Sequence, residues 1–138
     1  MSTTHSLRHR VTFGDCDPAG IVFYPHVYAW FDRAFHDFLR AFGGHAALCA
    51  RLNASGLGLV EASARFLRPL RDGDEMTIAL TLESFGRKTV SLAYRIDVRG
   101  EIVLEGREVR ALLRRSGDGI VAAEIQELKA LWQAHEGR

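Results

Sequence analysis

The stretch Pro25-His26-Val27-Tyr28-Ala29-Trp30-Phe31-Asp32-Arg33-Ala34-Phe35-His36-Asp37-Phe38-Leu39-Arg40-Ala41-Phe42 repeats its apolar side chains every three or four residues. Val27, Trp30, Phe31, Ala34, Phe35, Phe38, Leu39 and Phe42 share one face, and Asp32, Arg33, His36, Asp37 and Arg40 fill the other. This spacing predicts one long amphipathic helix. Pro25 suits its first position, where a missing N–H costs nothing, and Gly43-Gly44 supplies the stop. At 1.5 Å per residue the helix is roughly 27 Å long, enough to lie along a whole sheet. A stripe so rich in aromatics needs a broad apolar surface beneath it.

The remainder of the chain supplies that surface as strands. After a short second helix over residues 45–53, the segments 57–67, 75–85, 88–98 and 101–114 read as strands, separated by Arg71-Asp72-Gly73-Asp74, Gly86-Arg87 and Arg99-Gly100. Met76, Ile78, Leu80 and Leu82 alternate with Thr77, Ala79, Thr81 and Glu83, which gives the sheet one apolar and one mixed face. The four strands are expected to form a hairpin-linked antiparallel meander. Ser116-Gly117-Asp118-Gly119 breaks the pattern, and Ile125, Leu128, Leu131 and Trp132 mark a closing helix over about 122–135. Ahead of the long helix, residues 8–13 alternate with Val11 and Phe13 on one face, a first strand, and the polar residues 1–7 are expected to fray.

With 138 residues, 47% hydrophobic and 25% charged, the chain is expected to be one globular domain, residues 1–138. Its 18 basic and 17 acidic side chains create no overall field for nucleic acid or an anionic membrane, so neither is expected as a partner. No charged-apolar leader is seen, and no apolar run approaches the ~20 residues of a membrane helix, which leads us to expect a soluble protein. Cys16 and Cys49 are too few for a disulfide framework and too isolated for zinc, and they fit a reducing cytoplasm.

The chemistry is expected in the loop joining the first strand to the long helix, Phe13-Gly14-Asp15-Cys16-Asp17-Pro18-Ala19-Gly20-Ile21-Val22-Phe23-Tyr24-Pro25. Residues 14–20 are turn formers throughout, and Pro18 forbids a helix or ladder bond there, so the loop must be ordered by its own hydrogen bonds. Asp17 lies seven residues ahead of a helix start whose free amides and dipole suit developing negative charge. One loop thus offers a nucleophile or base and an oxyanion site. Asp17 has the alternative of merely capping an Asp-Pro turn. Asp15 reads as a loop brace, and Cys16 as a small packed side chain. The Asp15-x-Asp17-x-x-Gly20 spacing resembles the start of a calcium loop, but Ala19 and His26 stand where oxygen ligands are needed, so no metal is expected. Trp30, Phe31 and Phe35 read as core. Glu61, in an otherwise apolar strand, reads as an interface residue before a pocket group. A phosphatase of the haloacid dehalogenase type also uses Asp-x-Asp after a strand, but it needs a Thr that is missing here and a parallel sheet.

A strand, one long helix and an antiparallel sheet that must wrap it is an α+β layout of the hot-dog kind, five strands around one central helix. The loop resembles the signature of the 4-hydroxybenzoyl-CoA thioesterase family of hot-dog proteins, and the expected element order agrees over nearly the whole chain. Looser similarity lies in Arg65-Phe66-Leu67-Arg68-Pro69-Leu70 and Gly86-Arg87-Lys88-Thr89. The resemblance implies hydrolysis of an acyl-CoA to free acid and coenzyme A. It implies Asp17 as the catalytic carboxylate, acting as nucleophile or general base, and the Tyr24 backbone N–H as the group that polarises the thioester carbonyl. Gly20, Phe23 and His26 would contact substrate. Arg87 and Lys88 would hold the coenzyme A phosphates, with Arg65 and Arg68 as helpers. Pro25 stands where many broad-specificity members carry His, as in the hydroxybenzoyl-type enzymes, and points to an aryl acyl group. Short-chain aliphatic acyl-CoA, a carrier-protein thioester and a non-catalytic acyl-binding role remain open. No cofactor is implied beyond the coenzyme A of the substrate. The sparsely charged 57–67 strand would be a hazardous open edge, so a homodimer joined edge to edge, and further a homotetramer, is expected.

Overall fold

The apolar stripe of the long helix is buried as its spacing demands. In the computed structural model, which describes residues 3–136, α1 (Pro25–Leu39) hides Val27, Trp30, Phe31, Ala34, Phe35, Phe38 and Leu39. A 3-10 turn (Arg40–Phe42) tightens its end, and Gly43 closes it with a left-handed φ of 88°. The other elements are β1 (His5–Arg10), α2 (His45–Arg51), β2 (Gly56–Phe66), β3 (Glu75–Phe85), β4 (Thr89–Val98), β5 (Glu101–Ser116), β6 (Gly119–Ala122) and α3 (Gln126–Glu136).

The sheet is antiparallel throughout and runs β1-β3-β4-β5-β2, with β6 paired to the end of β5. The five expected strands are present, but only β3, β4 and β5 form a meander. β2 pairs with the far side of β5, from Gly56 opposite Leu113 to Phe66 opposite Leu104. The connection after β2 is too long for a tight hairpin and is held elsewhere: Leu70 is buried, and its carbonyl accepts the Val22 N–H at 2.8 Å. The chain therefore crosses the open end of the sheet, and β1 takes the place beside β3.

The larger departures from expectation lie toward the two ends of the chain. β1 begins at His5, within the stretch expected to fray, of which Met1 and Ser2 lie outside the described residues. Val11 is buried, but Phe13 enters a 3-10 turn (Phe13–Asp15) and is 83% exposed, because the Val11 N–H goes to Asp74 and Thr12 caps the turn. Ser116-Gly117-Asp118-Gly119 turns a hairpin into β6, and the Ala123 N–H still bonds the Leu112 carbonyl, so α3 starts at Gln126.

The helix lies against the apolar faces of β3 and β4, where Ile78, Leu80, Val90, Leu92 and Ile96 are fully buried. Burial of each such side chain stabilises by about 1.5–3 kcal/mol. The Phe31 ring comes so near Gly106 that a Cβ there would fall 2.2 Å from it. Phe31 also stacks on Tyr94 with ring centres 4.5 Å apart. On the helix's other flank, α3 brings Trp132 against Phe35 and Phe38 at 6.1 and 5.4 Å.

A buried polar group joins helix to sheet. Arg110 bonds both oxygens of Glu108 (3.1 and 3.2 Å), Asp32 of α1 (2.9 Å) and the Leu57 carbonyl (3.3 Å). The Tyr94 hydroxyl donates to Glu108 at 2.7 Å. Burial first, and then the Glu108 carboxylate, push the Tyr94 phenol far above its ordinary value, so it remains a donor. Burial works against the charge on Arg110, but Glu108 outweighs it and the guanidinium is held above its ordinary value.

The Gly106 contact yields a direct test. Gly106→Ala should lose about 1–3 kcal/mol of unfolding free energy in urea, the range for overpacking a core. With Phe31→Leu in the same chain, the double variant should lose less than the sum of the two single losses, since the smaller side chain leaves room for the methyl. Additive losses would show that Phe31 does not set the limit at Gly106.

Candidate active site

The loop before α1 is ordered by its own hydrogen bonds, as its composition requires. The Asp15 carboxylate accepts the Thr12 N–H at 2.9 Å and the Thr12 hydroxyl at 3.2 Å, and His9 Nε2 lies 3.3 Å from the same oxygen. The Asp15 carbonyl accepts the Phe23 N–H at 2.9 Å, which ties the beginning of the loop to its end. Between them, Asp17 N–H bonds the Ile21 carbonyl, Gly20 N–H bonds the Asp17 carbonyl, and Cys16 bridges Val22. Gly20 sits at φ 82°, a left-handed turn position that suits glycine.

Asp17 keeps its turn-capping role, with Oδ1 accepting the Ala19 N–H at 2.9 Å. Its Oδ2 has no protein donor among the described residues and is available for chemistry. Tyr24 is the N-cap residue of α1, without a side-chain cap bond. The His26 and Val27 amides bond the Phe23 and Tyr24 carbonyls, and Pro25 has no N–H. Among the described residues the Tyr24 N–H is therefore the amide of this first turn that has no acceptor, at the positive end of the helix dipole.

Asp17 and Tyr24 line one cleft of about 400 Å³, floored by Val22 and Val27. Its opposite wall is Phe66, the last residue of β2, and Leu67, Arg68, Pro69 and Leu70 of the connection that follows. A hollow of about the same volume on the outer face of the sheet, lined by Ala79, Ala93, Arg95 and Arg107, lacks a helix N-terminus.

The sequence profile of the thioesterase superfamily matches residues 19–105. The chain belongs to that family. It is 25% identical over 134 residues to the 4-hydroxybenzoyl-CoA thioesterase of Pseudomonas sp. (strain CBS-3), covering 91% of this chain and 94% of that protein. A solved structure of the Pseudomonas enzyme matches with a TM-score of 0.80 over 92% of this chain and 96% of its own. A 1,4-dihydroxy-2-naphthoyl-CoA hydrolase of Synechococcus sp. (strain RCC307) is 31% identical over 98 residues, 68% of this chain and 75% of that protein. A gentisyl-coenzyme A thioesterase structure, 31% identical, gives a TM-score of 0.75 over 87% of this chain and 94% of its own. The fold is the hot-dog fold, and this thioesterase-superfamily chain is a thioester hydrolase. A haloacid dehalogenase reading fails on the antiparallel sheet.

Of the residues expected at the site, this thioesterase brings Asp17, Tyr24 and Arg68 to one cleft and leaves Gly20, Phe23, His26, Arg65, Arg87 and Lys88 outside it. Gly20 is exposed at the loop tip. Phe23 turns its ring to Tyr24 and His26, and His26 stacks over Trp30 at 6.4 Å. Arg87 and Lys88 lie in the β3–β4 turn, at the far end of strands whose near ends adjoin the loop. At about 3.3 Å per residue, β3 alone separates them from it by roughly 35 Å. Arg87 also pairs with Glu124 at 2.8 Å. Within one chain these two residues cannot hold a ligand seated at Asp17. Arg68 lines the cleft and pairs with Glu101 at 3.2 Å, whereas Arg65 lines the outer hollow. Glu61 is exposed, beside a register shift in β2.

The sequence marks Arg65-Phe66-Leu67-Arg68-Pro69-Leu70 only as a point of resemblance, and the role of Leu67, Pro69 and Leu70 as an apolar wall of the cleft emerges from the fold. His9 and the Glu108–Arg110 pair gave no signal, because each acquires its meaning from a partner distant in sequence.

The electrostatics of Asp15 are testable. Burial pushes its carboxyl up, but the Thr12 amide, the His9 ring and the Thr12 hydroxyl outweigh burial and hold it below the ordinary carboxylate value. A carboxyl so depressed contributes stability that is present above its unfolded value of about 3.9 and is lost as pH falls through the lowered folded value. Asp15→Asn should therefore be less stable than wild type at pH 7, with urea midpoints converging as pH falls below about 4. A separation constant with pH would show that the charge contributes nothing.

Proposed function

We propose that this enzyme hydrolyses an aryl-CoA thioester, of the 4-hydroxybenzoyl kind, to the free acid and coenzyme A. The observation that carries this reading is one apolar cleft lined both by Asp17, with a carboxylate oxygen free of protein donors among the described residues, and by Tyr24, whose N–H is unengaged. A thioester carbonyl oxygen seated at the helix start accepts the Tyr24 N–H, and the dipole favours the charge that develops there. Asp17 Oδ2 then either attacks the carbonyl carbon, expelling the coenzyme A thiolate and leaving a mixed anhydride that water cleaves, or takes a proton from the attacking water. By either route water supplies hydroxyl to the acyl group and a proton to the thiolate.

Three things support an aromatic acyl group. Phe66, Leu67, Pro69 and Leu70 offer an apolar wall, Pro25 follows Tyr24, and the named substrates of the relatives above are all hydroxylated aryl-CoA thioesters. The reaction needs no metal or cofactor beyond the coenzyme A of the substrate. It suits the cytoplasm, and no helix among the described residues is long and apolar enough to cross a membrane.

The reading includes an assembly. Among the described residues β2 pairs only with β5, and it exposes Leu59 (54%) and Val60 (61%). Two-fold antiparallel pairing of β2 with its copy covers that edge and sets the Phe66 end of one chain against the Gly56 end of the other. We place Glu61 at this joint. The Arg87–Lys88 turn of another subunit then becomes the source of the phosphate clamp that one chain cannot supply, in a homodimer or homotetramer.

Thiol release should be fastest, by kcat/KM, with benzoyl- and 4-hydroxybenzoyl-CoA in a panel that includes phenylacetyl and aliphatic acyl-CoAs; an aliphatic preference would replace the acyl assignment. Asp17→Asn should lower kcat at least ~10²-fold with KM largely kept. Tyr24→Phe, which keeps the backbone donor, should change kcat little, and a loss matching that of Asp17→Asn would move the donor to the phenol.

Arg87→Ala with Lys88→Ala should raise KM for acyl-CoA several-fold, by contacts of about 0.5–1.5 kcal/mol each that weaken with salt, and leave acyl-pantetheine hydrolysis untouched. Equal losses on both substrates would make the effect structural. A fully active monomer by light scattering would refute the shared site.

A further inference from the structure

We propose that His9 is a positioning residue for the Tyr24 N–H, acting through Asp15. This inference rests on the reading of that N–H as the oxyanion donor. A carboxylate oxygen only accepts, so the 3.3 Å approach of His9 Nε2 to Asp15 Oδ2 places the hydrogen on the histidine nitrogen. The same oxygen takes both Thr12 donors, and all three fix the carboxylate in one orientation. Both side chains are largely sheltered, at 19% and 18% exposure.

His9 is itself fixed on two sides. Its backbone lies in β1 opposite Met76, and its ring packs on the buried Trp30 of α1 with centres 5.2 Å apart. The main chain of Asp15 carries this rigidity onward, since its carbonyl holds the Phe23 N–H at 2.9 Å and the next amide along the chain is that of Tyr24. Because Tyr24 has no side-chain cap bond, the first turn of α1 takes its aim from this link. An oxyanion donor works by being aimed before charge develops, so loosening it costs the transition state more than the ground state. The second carboxylate of the loop therefore has work of its own: Asp17 does the chemistry, and Asp15, steadied by His9, orients the donor.

The test compares two variants that both fill the space beside Trp30. His9→Leu cannot donate; it should lower kcat for 4-hydroxybenzoyl-CoA about tenfold with KM within about twofold of wild type, measured well below the thermal midpoint. His9→Gln can donate through its amide and should return kcat to within about threefold. Independently of activity, the Phe23 amide should exchange hydrogen about tenfold faster in His9→Leu than in wild type, and near the wild-type rate in His9→Gln. The inference is overturned if His9→Leu keeps kcat within twofold, if Gln and Leu lose alike, if the loss lies in KM, or if Phe23 exchange is unchanged. A wild-type enzyme that releases thiol from no acyl-CoA overturns the functional reading and this inference together, whereas the variant pattern bears on this inference alone.

Discussion

Phe31 rests on a place in β5 where there is no side chain. The Gly106 backbone and the flat face of Tyr94 form the floor on which the long helix sits, and a single methyl there would overlap the ring. The depth at which the helix sits over the sheet follows from this contact. A close-packed interior cannot absorb an added methyl without moving an element. The site depends on that element, because the start of α1 is also the floor and one wall of the cleft.

Depth alone does not fix a helix, which can still rotate about its axis. The Arg110 guanidinium supplies that restraint by binding Glu108 on its own strand, Asp32 on the helix and the Leu57 carbonyl at the start of β2. It also lies 4.1 Å from the centre of the Phe35 ring. Buried ion pairs give little net stability after desolvation, and their best-attested use is to specify one arrangement over its neighbours. Here the group joins the Asp32 turn of α1 to β5 and to the start of β2. The phenol of Tyr94, kept protonated, completes the set by donating to Glu108.

Much of this was legible in the sequence where the governing interactions are local. The helix stripe, the alternation of β3 and the turn chemistry between Phe13 and Pro25 are periodic or short-range, and α1 and β3 begin at the expected residues. Asp17 and Tyr24 belong to one loop and meet as their spacing suggested. Strand order was not legible, because the choice between a hairpin to β3 and a crossing to the far side of β5 depends on Leu70 being held by Val22, a contact between segments nearly fifty residues apart in the sequence. Phe13 misled for a related reason: its alternation with Val11 suits a strand, but Thr12 and Asp15 bend the backbone first. The apolar wall of the cleft and the His9 contact are likewise products of the fold.

In the proposed reaction the carbonyl is polarised by a main-chain N–H, and a main-chain donor is indifferent to the side chain of its own residue. The Tyr24 ring, 61% exposed at the mouth of the cleft, is thereby released from any chemical duty. Position 24 can change in size and polarity to suit a new acyl group while the oxyanion site stays as it was. Selectivity and reactivity are thus carried by separate atoms of one residue, and a lineage can explore new substrates without first surrendering its rate.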